Sequence, residues 1–382
     1  MLNLKSLLTK IIARIKKPFY LKIFGITGGF KNIDKRCLVY MKTEPFYRNL
    51  NKHTNFWEIK ELVHILNSKG YIVDIIDREV NDYTPDNIYD LFIGYGSGNS
   101  GKHFYKYAKK LSKAKKVLFC AGPEPSISNL LVKERYDNFN KRNNLMVPYM
   151  RMVDVDFNKF VSIADYIFCI GEKNGFSFNS YKMHKLPTIS IMPSSLETDC
   201  KRISNKDLKH FLCFAGNGLI CKGVDLMIEA FQQMPEFNLH ICGPEEEGLI
   251  EAYKDILSSS PNINFYGFVD TTSKIYQGLC NKCSYTILHS AAEGCATSIT
   301  TNMQSGLVPI VNYEAGLNIS TSGFNISSQG DRIEMIKETV NLASTISKDE
   351  YQIKVNSTLE LAKNFSKKSY TQSVSKALTI IS

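Results

Sequence analysis

From position 36 the chain alternates short apolar runs with stretches whose apolar residues recur every three or four positions. Runs at 37–41, 71–76, 91–95, 116–121, 166–170 and 188–192 are almost continuously apolar, which predicts strands buried on both faces. A helix is expected from Asn55, since Asn55 and Glu58 have N-cap and N3 spacing. Its apolar positions are Ile59, Leu62, Val63, Ile65 and Leu66, and Gly70 ends it. A second helix is expected around 103–112. Residues 195–209 are polar, lack a buried pattern and read as a connection. The alternation then restarts, with strands at 211–215, 238–242, 263–266, 285–288 and 308–311. Helical patterns fall at 224–233, 248–257, 273–280, 298–304, 331–345 and through much of 349–381. Such alternation implies parallel sheets with helices on both faces. Two consecutive α/β halves, 36–194 and 208–365, are expected to face a central cleft with their strand carboxyl ends. The terminal helix, 366–382, is expected to pack back on the first half.

Composition fits that picture. The 382 residues are 43% hydrophobic and 22% charged, with neither a repeat nor a low-complexity tract. No segment reaches the ~20 apolar residues that cross a bilayer. Ten cysteines are present, but Cys37, Cys120, Cys169, Cys213 and Cys242 fall inside apolar runs, as small hydrophobes do. Cys280 and Cys283 form a C-x-x-C without the second pair that a structural zinc requires. No secretion signal is evident, so a reducing cytoplasm is expected.

Charge changes the picture at one end. Residues 1–36 carry +8 of the net +10. A nucleic-acid-binding protein would place its basic stripe on the folded body, so no nucleic acid is expected as a partner. Within the tail, Leu4, Leu7, Leu8, Ile11, Ile12 and Ile15 share one helical face. Residues 1–30 therefore read as a basic amphipathic segment that lies on an anionic membrane surface, with the protein peripheral on the inner face.

Two strand-to-helix junctions carry candidate chemistry. The first runs Gly216-Asn217-Gly218 to Lys222-Gly223-Val224-Asp225, where a glycine-rich turn and a lysine suit a phosphate. It is not a dinucleotide fingerprint, because Cys221 stands where the third glycine belongs and Gly243-Pro244 where a ribose-binding acid would stand. The second runs His289 to Ser298. Free N–H groups at Ala296, Thr297 and Ser298 suit a pyrophosphate, and Glu293 stands just before them, placed to accept bonds from sugar hydroxyls.

In order, 222–231, 239–244, 263–269, Glu293-Gly294 and 306–311 resemble the C-terminal half of retaining GT-B glycosyltransferases, as in glycosyltransferase family 4. The likeness covers 210–316; the first half is similar in architecture alone. It implies a GT-B fold with an N-terminal acceptor domain and a C-terminal donor domain. By this resemblance Lys222 contacts the donor pyrophosphate, and Glu293 matches the first glutamate of an E-x7-E motif and touches the donor sugar. The segment with Gly294, Ala296, Thr297 and Ser298 cradles phosphate, and Gly267, Phe268 and Val269 lie near the base. Three positions depart from the family. Its second, ribose-binding glutamate falls at Thr301, its arginine at Asn217, and no histidine follows residue 121.

The implied activity is transfer of a sugar, with retention, from a UDP- or GDP-linked donor to a glycan or lipid-linked acceptor in cell-surface polysaccharide or glycolipid synthesis. Neither a cofactor nor a metal is required, as no Asp-x-Asp occurs in the C-terminal half. Tyr47, Arg48, His53 and Glu124 are the acceptor-side candidates. A catalytically silent GT-B partner protein and a sugar-nucleotide 2-epimerase share the architecture and stay open at this point.

Overall fold

The computed structural model describes residues 21–31, 33–48, 53–198 and 206–382. The amphipathic stripe from Leu4 to Ile15, and with it the expected membrane contact, lies outside them. The first sheet has seven strands: β1 (Lys22–Ile26), β2 (Lys35–Met41), β3 (Tyr71–Asp77), β4 (Leu91–Tyr95), β5 (Lys115–Cys120), β6 (Tyr166–Ile170) and β7 (Thr188–Ile191). Their order is β1-β3-β2-β4-β5-β6-β7, and all pair in parallel except β1, which runs antiparallel along β3. Residues 22–26 are thus a sheet edge, which corrects the expected extent of the amphipathic segment to 30.

The second sheet is wholly parallel. It comprises β8 (His210–Phe214), β9 (Asn238–Cys242), β10 (Ile263–Phe265), β11 (Tyr285–Leu288), β12 (Val308–Val311) and β13 (Phe324–Asn325), in the order β10-β9-β8-β11-β12-β13. Five helices accompany the first sheet: α1 (Asn55–Ser68), α2 (Phe104–Lys110), α3 (Pro125–Asn143), α4 (Phe157–Val161) and α5 (Phe176–Ser180). Seven follow: α6 (Val224–Gln232), α7 (Glu247–Ser259), α8 (Lys274–Lys282), α9 (Thr297–Met303), α10 (Arg332–Thr345), α11 (Lys348–Ala362) and α12 (Lys367–Ile381). The last lies against α1 and β7: Tyr370 donates to the Glu58 carbonyl at 3.0 Å and its ring meets Trp57 edge-on.

The apolar runs are continuous because each strand feeds two cores. In β2, Cys37, Val39 and Met41 join one buried cluster while Leu38 and Tyr40 join another on the opposite face. The first of these clusters continues without a break into β8, β9, β11 and β12 of the second half. All nine cysteines among the described residues are buried free thiols.

The cap of helix α1 falls one residue earlier than expected. Thr54 is the N-cap, and Glu58 makes no capping box; its carboxylate is buried and accepts from the Ser194 N–H and hydroxyl at 2.8 and 2.9 Å. Ser195, expected in a polar connection, is buried too, donating to Phe365 O and Thr300 Oγ1 at 2.7 Å each.

Sheet order locates the clefts. From β2 the chain passes to β3 on one side and β4 on the other, and from β8 to β9 on one side and β11 on the other. At such a reversal the loops after adjacent strands diverge to opposite faces and leave a crevice at the strand carboxyl ends. The loops leaving β8 and β11 are those that carry Lys222 and Glu293.

Candidate active site

Lys222 and Glu293 meet. The Lys222 ammonium pairs with Glu293 Oε1, both side chains being nearly buried. The same oxygen accepts from Arg151 Nη1 at 2.8 Å and from Ser290 Oγ at 3.4 Å. Burial alone would raise the Glu293 carboxyl, but Arg151 and then Lys222 outweigh it and bring it down to about 2. Glu293 is therefore a fixed anion across the neutral range and not a proton shuttle.

Arg151 belongs to the first half, on the loop after α3. Its neighbours are anchored there: Asn99 Nδ2 donates to Met152 O at 2.9 Å and Asn129 Nδ2 to Val153 O at 2.8 Å. Its backbone is left-handed, with φ 66°. It also lies over the first glycine turn, since a Cβ at Gly218 would fall 2.8 Å from Arg151 Cδ. The sequence offered no local signal for this arginine, which stands in a stretch without a regular period.

The triad borders a cavity of about 540 Å³ between the halves. Gly216, Asn217, Lys222, Phe268, Val269, Glu293, Ala296, Thr297, Ser298 and Thr301 line it, with Arg151, His53, Pro244 and Asp270 beside them. Gly218 and Gly267 stand outside the lining. Of the amides expected to be free, Ala296 N–H is engaged by Ala315 O at 2.9 Å, while Thr297 and Ser298 donate to no described acceptor. Thr301 turns inward, donating to Thr297 O at 2.7 Å and accepting from Leu196 N–H at 3.2 Å.

A second cavity, of about 660 Å³, opens from the first through His53, Thr54, Arg151, Glu293, Cys295 and Thr297, which line both. Its remaining walls include Lys42, Arg78, Tyr95, Ser97 and Gly122 after the strands of the first sheet, Glu58 of α1, and Cys221, Ala292 and Gly294 of the second half. Burial, then Lys42 and Lys222, hold the His53 imidazole below its ordinary value. Burial lifts the Glu58 carboxyl to about 7 even with two donors from Ser194.

The other acceptor-side candidates lie elsewhere. Glu124 is the N-cap of α3, accepting from the N–H groups of Ser126 and Ile127, because a buried helix start with Pro125 next to it needs an acceptor there. Arg48 is paired with Glu44 one turn earlier, and neither it nor Tyr47 lines either of these two cavities.

The halves are joined beyond the cavities by α3. Arg135, itself buried, donates from Nη1 to His289 O at 2.9 Å, and its Nη2 lies 2.9 Å from His289 Nδ1. Tyr136 donates to Glu246 at 2.8 Å, and Arg142 pairs with Asp225 and Glu229. On the other flank Gly294 packs so closely on the loop after β5 that a Cβ would fall 2.3 Å from Ala121 O.

Two α/β domains with facing parallel sheets and a cavity between them constitute the GT-B fold, and comparison with known proteins agrees. Residues 197–354 match the family model of glycosyl transferases group 1. No curated protein sequence matches the chain. Among solved structures it is similar to sucrose-phosphate synthase from Thermosynechococcus elongatus (TM-score 0.62, 10% identity, 91% of this chain and 99% of that one). It is also similar to Anabaena Alr3699/HepE in complex with UDP and glucose (TM-score 0.57, 13% identity, 91% of this chain and 100% of that one). A third is the pneumococcal O-GlcNAc transferase GtfA in complex with UDP and GlcNAc (TM-score 0.52, 15% identity, 76% of this chain), of which the chain covers 57%. No helix among the described residues is long and apolar enough to cross a membrane.

Proposed function

We propose that the protein is a glycosyltransferase that moves a sugar from a nucleoside diphosphate donor to an acceptor hydroxyl. The observation that carries this reading is the convergence of Lys222 and Glu293, from the loops after β8 and β11, at the wall of an interdomain cavity. The group 1 match over 197–354 supports it.

The donor diphosphate lies toward Lys222 and the free amides of Thr297 and Ser298. The base lies toward Phe268, Val269 and Pro244, and the sugar toward Glu293. As the bond from the anomeric carbon to the diphosphate breaks, negative charge grows on the leaving phosphate. Lys222 meets that charge in a site shielded from water, where a fixed cation contributes most. The acceptor hydroxyl forms the new bond from the same face, with retention, and its proton passes to the leaving diphosphate. Glu293, already ionised, accepts bonds from sugar hydroxyls and orients the donor. Residue 217 is asparagine and residue 301 threonine, so the nucleotide is held without the arginine and ribose-binding acid of the resembled family. The acceptor enters through the second cavity. A cell-surface glycan or lipid-linked acceptor and a peripheral membrane location through residues 1–30 fit the basic tail.

Isothermal titration with UDP and GDP, followed by nucleotide-sugar hydrolysis, tests the reading. UDP comes first, because two structures of this fold hold it. Micromolar binding that is lost in Lys222→Gln is expected; no binding of either nucleotide at millimolar concentration would leave a silent partner protein as the better description.

A further inference from the structure

The second cavity carries a charge arrangement that a neutral sugar does not call for. In the parallel register Met41 lies beside Asp77, so the next residues, Lys42 and Arg78, leave the ends of β2 and β3 side by side. Adjacent strands are ~4.8 Å apart, so the two cations start as near neighbours. The Arg78 N–H donates to Met41 O at 3.2 Å, which fixes that placement. Both side chains line the cavity at the point where the strand order reverses.

Two of the acids close by, Asp77 and Glu44, are bonded elsewhere. Asp77 Oδ2 accepts from the Thr43 N–H and hydroxyl at 2.8 Å each, and Oδ1 accepts from the Glu79 N–H at 3.0 Å. Glu44 is paired with Arg48. The Arg78 guanidinium reaches the Ser100 hydroxyl at 2.7 Å and forms no ion pair with a described acid. Lys42, partly buried, makes neither a hydrogen bond nor an ion pair with any described residue. Burial and then Arg78 push its ammonium below the usual range, although Glu44, Asp77 and Glu79 pull the other way.

The rest of the lining does not restore balance. Glu293 already faces two cations, Lys222 and Arg151. Burial raises the Glu58 carboxyl to about 7 and, with Lys42 and Lys222, holds the His53 imidazole below its ordinary value. The wall at the ends of β2 and β3 therefore has two like charges that form no ion pair with a described acid, although Asp77 and Glu79 stand nearby. Like charges in a partly buried wall repel, and an anion between them removes that repulsion while gaining charge-assisted hydrogen bonds.

We infer that the acceptor carries an anionic group, a phosphate or a carboxylate, which seats between Lys42 and Arg78. This rests on the second cavity being the acceptor side of the proposed transferase. The guanidinium supplies a flat fork that suits either group, and the lysine a point charge. The anion fixes the acceptor at one end and leaves its hydroxyls directed toward Glu293 and the donor cavity.

The test is titration of the full chain at low ionic strength with inorganic phosphate, glucuronate and glucose, each with and without saturating UDP. Millimolar binding of phosphate or glucuronate, no binding of glucose, and a loss of at least tenfold in the double variant Lys42→Gln with Arg78→Gln are expected. Loss confined to phosphate assigns a phosphate-bearing acceptor, and loss confined to glucuronate a uronate-bearing one. Arg78→Lys keeps the charge without the fork and provides a milder variant if the double one folds poorly; an intermediate weakening is expected. Failure of the wild type to bind either anion, or equal affinity in wild type and variants, would overturn the inference. UDP affinity, measured on the same samples, reports the donor reading separately. Its absence would remove the transferase reading while the anion result stood by itself.

Discussion

Glu293 holds cations from both halves of the chain, so one carboxylate sets both the charge of the site and a contact between the halves. Replacing it by glutamine leaves Lys222 and Arg151 facing each other without an anion. Losing one member of a buried pair costs about 3–5 kcal/mol at full burial, and about 1–3 kcal/mol is expected here because Arg151 is partly open to the cavity. Glu293→Gln should therefore lower the melting temperature of the free protein and enlarge the stabilisation by UDP, whose diphosphate replaces the lost anion, while sugar transfer falls at least a hundredfold. Thermal denaturation with and without UDP measures this, and an unchanged UDP increment would contradict it. Glu58 gives the pH dependence. Its folded value, about 7, exceeds its ordinary 4.5, so folding takes up a proton between those values. The cost of burying its charge is absent below about pH 4.5 and complete above about pH 7, on the order of 3 kcal/mol. Glu58→Gln keeps an acceptor for Ser194 and removes the titration. Its melting temperature relative to wild type should rise between about pH 5 and pH 8.5, and a flat difference would show that Glu58 stays ionised.

Helix α3 is the element that ties local sequence to the site. Arg135 donates to His289 O and approaches Ile220 O at 3.5 Å, so one side chain of the first half braces both loops that present Lys222 and Glu293. Arg135→Met would leave the His289 carbonyl without a donor in a dry contact, at about 2–4 kcal/mol, while Ile220 O keeps the Gly223 N–H at 3.0 Å. Urea denaturation should show that loss. UDP affinity should also fall severalfold because the loops loosen, and unaltered UDP binding would make Arg135 a purely structural group. The same helix marks the limit of what the sequence discloses. Its buried face is Ser128, Val132, Arg135, Tyr136 and Phe139, and an arginine in the middle of an apolar stripe disguises the period. Most strands were legible because both their faces are apolar, whereas the largely exposed β1 and the two-residue β13 were not, and the Lys222 and Glu293 junctions were legible because a glycine-rich strand-to-helix turn suits a phosphate. Arg151 was not legible, since a left-handed residue on an irregular loop is placed by the contacts of Asn99 and Asn129 and by no pattern of its own. Glu58 and Glu124 have the spacing of a helix cap and of a cleft residue respectively, yet tertiary packing makes Glu58 an acceptor for Ser194 and Glu124 the cap.

At the scale of the molecule the two halves behave as one body with a seam. The apolar cluster crosses it, α3 and the Arg151 loop reach over one side, and α12 returns from the second half to α1 and β7. On the other side the seam depends on a position without a side chain. Gly294 lies against Ala121 O, and Gly171 and Gly316 in turn close on Gly294 O, so a Cβ at either would fall 2.7 or 2.5 Å from that oxygen. Gly294 itself has no left-handed backbone, so alanine is compatible with its local conformation and conflicts only with the opposite half. Gly294→Ala thus separates closure from folding. The contact at 2.3 Å must open by roughly 1 Å to reach an ordinary carbon–oxygen distance, and a displacement of that size at the seam is enough to misplace reacting groups. The variant should keep most of its UDP affinity, which depends on the second half, and lose turnover by at least tenfold. Its radius of gyration in solution scattering should increase. Scattering and turnover that both match the wild type would mean that the halves do not need this contact to assemble the site.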